Sequence, residues 1–88
     1  MSHNKILIVE DESRMRRLIS DYLKREDYTI IEAENGRQAL NVFEKNQPDL
    51  VILDIMMPEL DGWTVCREIR KESQVPIIML TAKSQDSD

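Results

Sequence analysis

An α/β fold built on a parallel sheet is what this sequence predicts, on three observations. Ile6-Leu7-Ile8-Val9, Leu50-Val51-Ile52-Leu53 and Ile77-Ile78-Met79-Leu80 are short, unbroken apolar runs, the pattern of strands covered on both faces by helices. Stretches with apolar residues three and four apart lie between them. The two patterns alternate along the chain, which argues for right-handed crossovers and parallel neighbours.

The elements follow in order. A first strand at 6–9 leads into Glu10-Asp11-Glu12. Met15, Leu18, Ile19, Tyr22 and Leu23 then form the apolar stripe of helix one, with Arg14, Arg17 and Lys24 off it. Asp11, Glu12 or Ser13 could cap this helix. Tyr28-Thr29-Ile30-Ile31-Glu32-Ala33 is β-rich but more polar, as suits a sheet edge. Asn35 is placed to cap helix two, which carries Ala39, Leu40 and Phe43, although Gly36 weakens that start. The third strand, 50–53, ends at Asp54. Asp61 opens helix three, whose stripe takes Gly62 or Trp63, then Val65, Cys66 and Ile69; Trp63 and Cys66 read as core packing. Met56, Met57 and Met79 read as apolar gap-fillers. The fourth strand, 77–80, ends at Thr81. Pro48 and Pro76 stand just before the third and fourth strands, where a missing N–H does least harm.

Composition narrows the function classes. A chain of 88 residues is one domain at most. A net charge of −5 and a pI near 4.8 argue against a nucleic-acid-binding module, which carries a basic footprint. The single cysteine, Cys66, excludes an intrachain disulfide and fits a reducing compartment. His3 is the only histidine, so a Ser/His/Asp triad and a multi-histidine metal site are excluded. The first apolar run is too short for a signal-peptide core, and none approaches the ~20 residues that span a bilayer. The expectation is a soluble, cytoplasmic domain with no membrane partner.

Open parallel sheets bind ligands beyond the carboxyl ends of their strands. Glu10-Asp11-Glu12 follow the first strand, Asp54 the third and Thr81 the fourth. If strands one and three are neighbours, Glu10, Asp11 and Asp54 lie within a few ångströms of one another. Like charges so close repel and cost stability unless a cation neutralises them. Hard oxygen ligands with no histidine or cysteine beside them select Mg2+ over zinc, and two carboxylates with open positions suit phosphoryl transfer. The blander alternative is that these acids only cap the helices that follow. Asp54 fits it poorly, being preceded by Leu50 to Leu53 and followed by Met56 and Met57.

Three blocks, Ile6-Leu7-Ile8-Val9-Glu10-Asp11-Glu12, Leu53-Asp54-Ile55-Met56-Met57-Pro58 with Asp61-Gly62, and Pro76-Ile77-Ile78-Met79-Leu80-Thr81-Ala82, resemble the receiver domain of bacterial two-component response regulators. The resemblance runs over essentially the whole chain in the right order and spacing. It implies a flavodoxin-like, three-layer α/β/α fold, here with four strands in the order 2-1-3-4 and three helices. It implies that Asp54 is the phosphoacceptor, taking a phosphoryl group from a sensor histidine kinase. Asp11 and Asp54 would hold Mg2+ directly, with the Met56 carbonyl as a backbone ligand and Glu10 reaching the ion through water. Thr81 would hydrogen-bond a phosphoryl oxygen, and the small Ala82 would leave Thr81 room to move inward. Met56 and Lys83 would flank the path of hydrolytic water and tune the lifetime of the phosphate. Pro58 and Gly62 would shape the loop into helix three. Helix one would meet the kinase, with Arg14, Met15 and Leu18 in contact. The alternative for Arg14, Arg16 and Arg17 is a solvated helix face.

The resemblance makes the chain a signalling domain and not an enzyme beyond its own phosphorylation and dephosphorylation. A phosphatase on a related scaffold would need an aspartate two residues after Asp54, where Met56 stands. Residues 1–88 read as a receiver lacking helix four, strand five and helix five, and with them the family lysine that pairs with the phosphoryl group. An open edge at the fourth strand is then expected to drive self-association. DNA would be reached only through an output domain outside this sequence. The alternative reading is a phosphorylation-incompetent fragment serving as a folding or assembly unit.

Overall fold

The computed structural model of the protein describes residues 4–80. Its elements are β1 (Lys5–Val9), α1 (Ser13–Arg25), β2 (Thr29–Ala33), α2 (Gly36–Asn46), β3 (Leu50–Asp54), α3 (Gly62–Arg70) and β4 (Ile77–Leu80). The strands form one parallel sheet in the order β2-β1-β3-β4, as the resemblance implies. Val9 pairs with Leu53 and Asp54 with Leu80, so the carboxyl ends of the three strands meet at one rim.

Alternation along the strands sorts the core. Leu7, Val9, Val51 and Leu53 are fully buried and join Ala39 and Phe43 of α2 and Val65 and Ile69 of α3 in one cluster. Two helices end-capped by side chains cover that face. Asn35 accepts from the Gln38 N–H at 2.8 Å, and Asp61 accepts from the Thr64 N–H at 2.9 Å, satisfying donors that a helix start leaves orphaned. Both caps are the ones expected. Helix α1 starts at Glu12 with no side-chain cap.

Three expectations are corrected. Strand β4 is not covered on both faces: Ile78 is 50% exposed and borders a groove of about 430 Å3 with Ile6, Leu23 and Ile52. Helix α1 is turned by about one residue from its apolar stripe. Met15, Leu18 and Tyr22 are exposed, while Ser20 is buried and Arg16, Ile19 and Leu23 are half-buried. The inward set 16, 19, 20, 23 has the same helical spacing as the expected one, but half of it is polar. Trp63 is 55% exposed and not core. The buried stripe of α3 is Gly62, Val65 and Ile69, and Trp63, one position round from Gly62, falls on its flank.

Candidate functional site

Each carboxylate of the rim is held by its own strand end. Glu10 follows β1, and its backbone N–H donates to the Ala33 carbonyl at 3.1 Å, which keeps it in line with β2. Its carboxylate Oε2 accepts from the Glu12 N–H at 3.0 Å. Asp54 closes β3, and its Oδ1 accepts from the Met56 N–H at 3.1 Å. Both side chains are buried, at 2% and 1% exposure for Glu10 and Asp54, whereas Asp11 is exposed.

The three converge. One carboxylate oxygen each from Glu10, Asp11 and Asp54 lies within 4.8 Å of the other two. Two buried anions and one exposed one facing a common point make a strongly negative pocket open on the Asp11 side. Donor set and spacing fit a hard divalent ion such as Mg2+.

The loop from β3 to α3 folds back against the site. Ile55 N–H donates to the Leu80 carbonyl at 3.1 Å, and the Ile55 carbonyl accepts from the N–H groups of Met57 and Gly62 at 3.2 and 3.0 Å. Between them Glu59 takes a left-handed φ of 65°. Pro58 is exposed in the same turn and Gly62 is buried at the start of α3. Met56 is 62% exposed and so not the apolar gap-filler expected, and with Ile55, Met57, Asp61 and Trp63 it borders an open cavity beside the rim. Asp61, on that border, has its pKa lowered, chiefly by the Thr64 N–H, then by the Thr64 hydroxyl, against the opposing effect of desolvation; Arg67 and the Trp63 N–H add to the lowering.

Arg14, Met15 and Leu18 are exposed on the outer side of α1. Arg16, grouped with them by sequence, is different. Its side chain is 16% exposed and its guanidinium is paired with Glu32. The missed signal was a pair of polar residues, Arg16 and Ser20, one helical turn apart and facing Glu32, the single acid of β2. Thr81, Ala82 and Lys83 lie outside the described residues.

A family model described as the response regulator receiver domain matches residues 6–88. The chain is 51% identical over 87 residues to the transcriptional regulatory protein ResD of Bacillus subtilis, covering 99% of this chain and 36% of that protein. It is 51% identical over 88 residues to a probable transcriptional regulator, ycf27, of Porphyridium aerugineum, covering 100% of this chain and 37% of that one. The chain thus spans little more than a third of these relatives. Among solved structures it superposes on the BeF3-activated N-terminal receiver domain of Klebsiella pneumoniae RstA with a TM-score of 0.85 at 45% identity, covering 97% of this chain and 71% of that one. It also superposes on the chemotaxis protein CheY4 of Vibrio cholerae with a TM-score of 0.89 at 31% identity, covering 96% and 72%.

Proposed function

The chain belongs to the response regulator receiver family, and from that premise we propose that it captures a phosphoryl group on Asp54 with Mg2+ held in the acidic pocket. The observation that carries this reading is the meeting of Glu10, Asp11 and Asp54 oxygens within 4.8 Å at the strand ends. An anionic donor cannot approach bare carboxylates, so the bound ion supplies charge neutralisation for both acid and phosphoryl oxygens. Asp11 and Asp54 would be direct ligands with the Met56 carbonyl, and Glu10 would act through water.

In the transfer itself an Asp54 carboxylate oxygen attacks phosphorus in line with the leaving imidazole of a sensor kinase phosphohistidine. A P–O bond forms, the P–N bond breaks, and the imidazole takes up a proton. Thr81 would then hydrogen-bond the phosphoryl group, with Ala82 giving it room. Arg14, Met15 and Leu18 supply an exposed, mixed basic and apolar surface on α1 for the kinase. Relatives described as transcriptional regulators support a DNA-binding output carried by a separate domain, and a cytoplasmic setting follows from these partners. No helix among the described residues is long and apolar enough to cross a membrane. Two copies of this chain would associate through β4.

The test is incubation with acetyl phosphate and Mg2+ followed by intact-mass spectrometry. A labile gain of about 80 Da that requires Mg2+ and disappears in Asp54→Asn supports the reading. The same gain in Asp54→Asn refutes it.

A further inference from the structure

Arg16 and Ser20 on the inner face of α1 and Glu32 of β2 beneath them are three polar groups that the phosphoryl chemistry above does not use. Arg16 donates through Nη1 to the Glu10 carbonyl oxygen at 2.8 Å and through Nε to Glu32 Oε1 at 3.1 Å. The second oxygen of Glu32 accepts from the Ser20 hydroxyl at 3.1 Å. Ser20 is 1% exposed, the one buried residue of α1. A continuous relay therefore runs from Ser20 through Glu32 and Arg16 to the backbone of the residue that begins the acidic loop.

We propose that Arg16, oriented by Glu32 and Ser20, is the positioning residue that holds the Glu10–Glu12 loop in its metal-binding geometry. The inference rests on the reading of the acidic pocket as a Mg2+ site. Among the contacts that hold the loop are the Glu10 N–H on the Ala33 carbonyl, the Glu12 N–H on Glu10 Oε2, and Arg16 on the Glu10 carbonyl. The first two are ordinary neighbours in sheet and turn. Arg16 alone of these anchors comes from a helix side chain, and its planar fork reaches two acceptors at once, which a lysine cannot do with the same geometry. Without it the loop would keep its ends but lose the contact that sets the tilt of the Glu10–Asp11 peptide. The Asp11 carboxylate is carried on that peptide, so a change in the peptide's tilt moves it relative to Glu10 and Asp54. Partners one step removed from a metal's ligands commonly set affinity by holding those ligands in place.

Charge gives the proposal a distinctive sign. Arg16 is a cation beside an anionic pocket. If it acted only through its charge, its removal would leave the pocket more negative and bind Mg2+ more tightly. A positioning role requires the opposite.

The experiment measures Mg2+ affinity by the fluorescence of Trp63 in wild type, Arg16→Met, Arg16→Lys and the charge-neutral Ser20→Ala. Measurements are made at a temperature where circular dichroism shows each variant folded. Arg16→Met is expected to weaken Mg2+ by roughly 10–100-fold, Arg16→Lys by less, and Ser20→Ala by a few-fold in the same direction. In the metal-free protein, the Glu12 amide is expected to exchange faster in Arg16→Met. Unchanged or tighter Mg2+ binding in folded Arg16→Met, or in Arg16→Lys and Ser20→Ala should Arg16→Met not fold, overturns the positioning role. A wild-type protein that binds no Mg2+ overturns the metal reading and this inference with it. A merely structural role would lower the melting temperature and leave the Mg2+ affinity of folded protein unmoved.

Discussion

Gly62 lies directly against the Asp54 carbonyl: a Cβ at this position would overlap that oxygen and stand 2.7 Å from Ile55 Cα. The requirement is for space and not for a left-handed backbone, since no glycine among the described residues has positive φ. Backbone cannot move aside as a flexible side chain can, so Gly62→Ala must shift the end of β3. A cost of about 1–3 kcal/mol is expected, read from the urea midpoint, together with weaker Mg2+ binding because Asp54 moves with its carbonyl.

Asp61 links the cap of α3 to pH. Its pKa is lowered from 3.8, first by the Thr64 N–H, so the ionised form is favoured in the folded state. The stability it adds is present above the unfolded value and is lost as pH falls through the lowered one. Asp61→Asn is therefore expected to reduce stability at neutral pH and to converge on wild type in acid. Denaturant midpoints across the acid range check this; a difference that persists in strong acid would contradict it.

Met56 stands exposed beside the pocket with an apolar side chain. On the proposed reading of Asp54 as phosphoacceptor, Met56 flanks the path of hydrolytic water and should slow hydrolysis. Met56→Asn is expected to shorten the lifetime of the acyl phosphate, followed by the loss of the phosphoryl mass with time, and to leave folding unchanged because the side chain buries little.

Ile78 is half-exposed on β4, beside the groove that Ile6, Leu23 and Ile52 border. If copies of this chain associate there, Ile78→Lys places a charge on the contact and should yield monomers in sedimentation velocity, with little loss of stability. Equal association of wild type and variant would remove the Ile78 face of β4 from the interface.

Much of this was legible in sequence because it depended on period and position along strands. Continuous apolar runs gave three strands and a more polar, β-rich stretch the fourth, and the residues at the ends of the first and third gave the rim where Glu10, Asp11 and Asp54 meet. The caps Asn35 and Asp61 were equally plain, since a cap is a local matter between residues three apart. The rotation of α1 was not. Which residues of a broad amphipathic helix turn inward depends on what the sheet offers beneath them, and Glu32 draws in Arg16 and Ser20 at the expense of Met15 and Leu18. Trp63 was misjudged for a related reason: on a helix of nine residues, one step around the axis separates the core from the cavity edge. Glu59 gave no signal of its left-handed turn, a conformation glycine or asparagine would have advertised.

The central claim is that three acids from distant parts of the chain share one divalent ion, and thermal melting with and without Mg2+ tests it most directly. Metal-free Asp54→Asn should melt above metal-free wild type, since relief of repulsion by about 1 kcal/mol shifts a domain of this size by about 4–8 °C. Mg2+ at roughly 100 times Kd should stabilise wild type by about 2.7 kcal/mol and Asp54→Asn far less. Wild type and Asp54→Asn responding equally to Mg2+ would contradict the account.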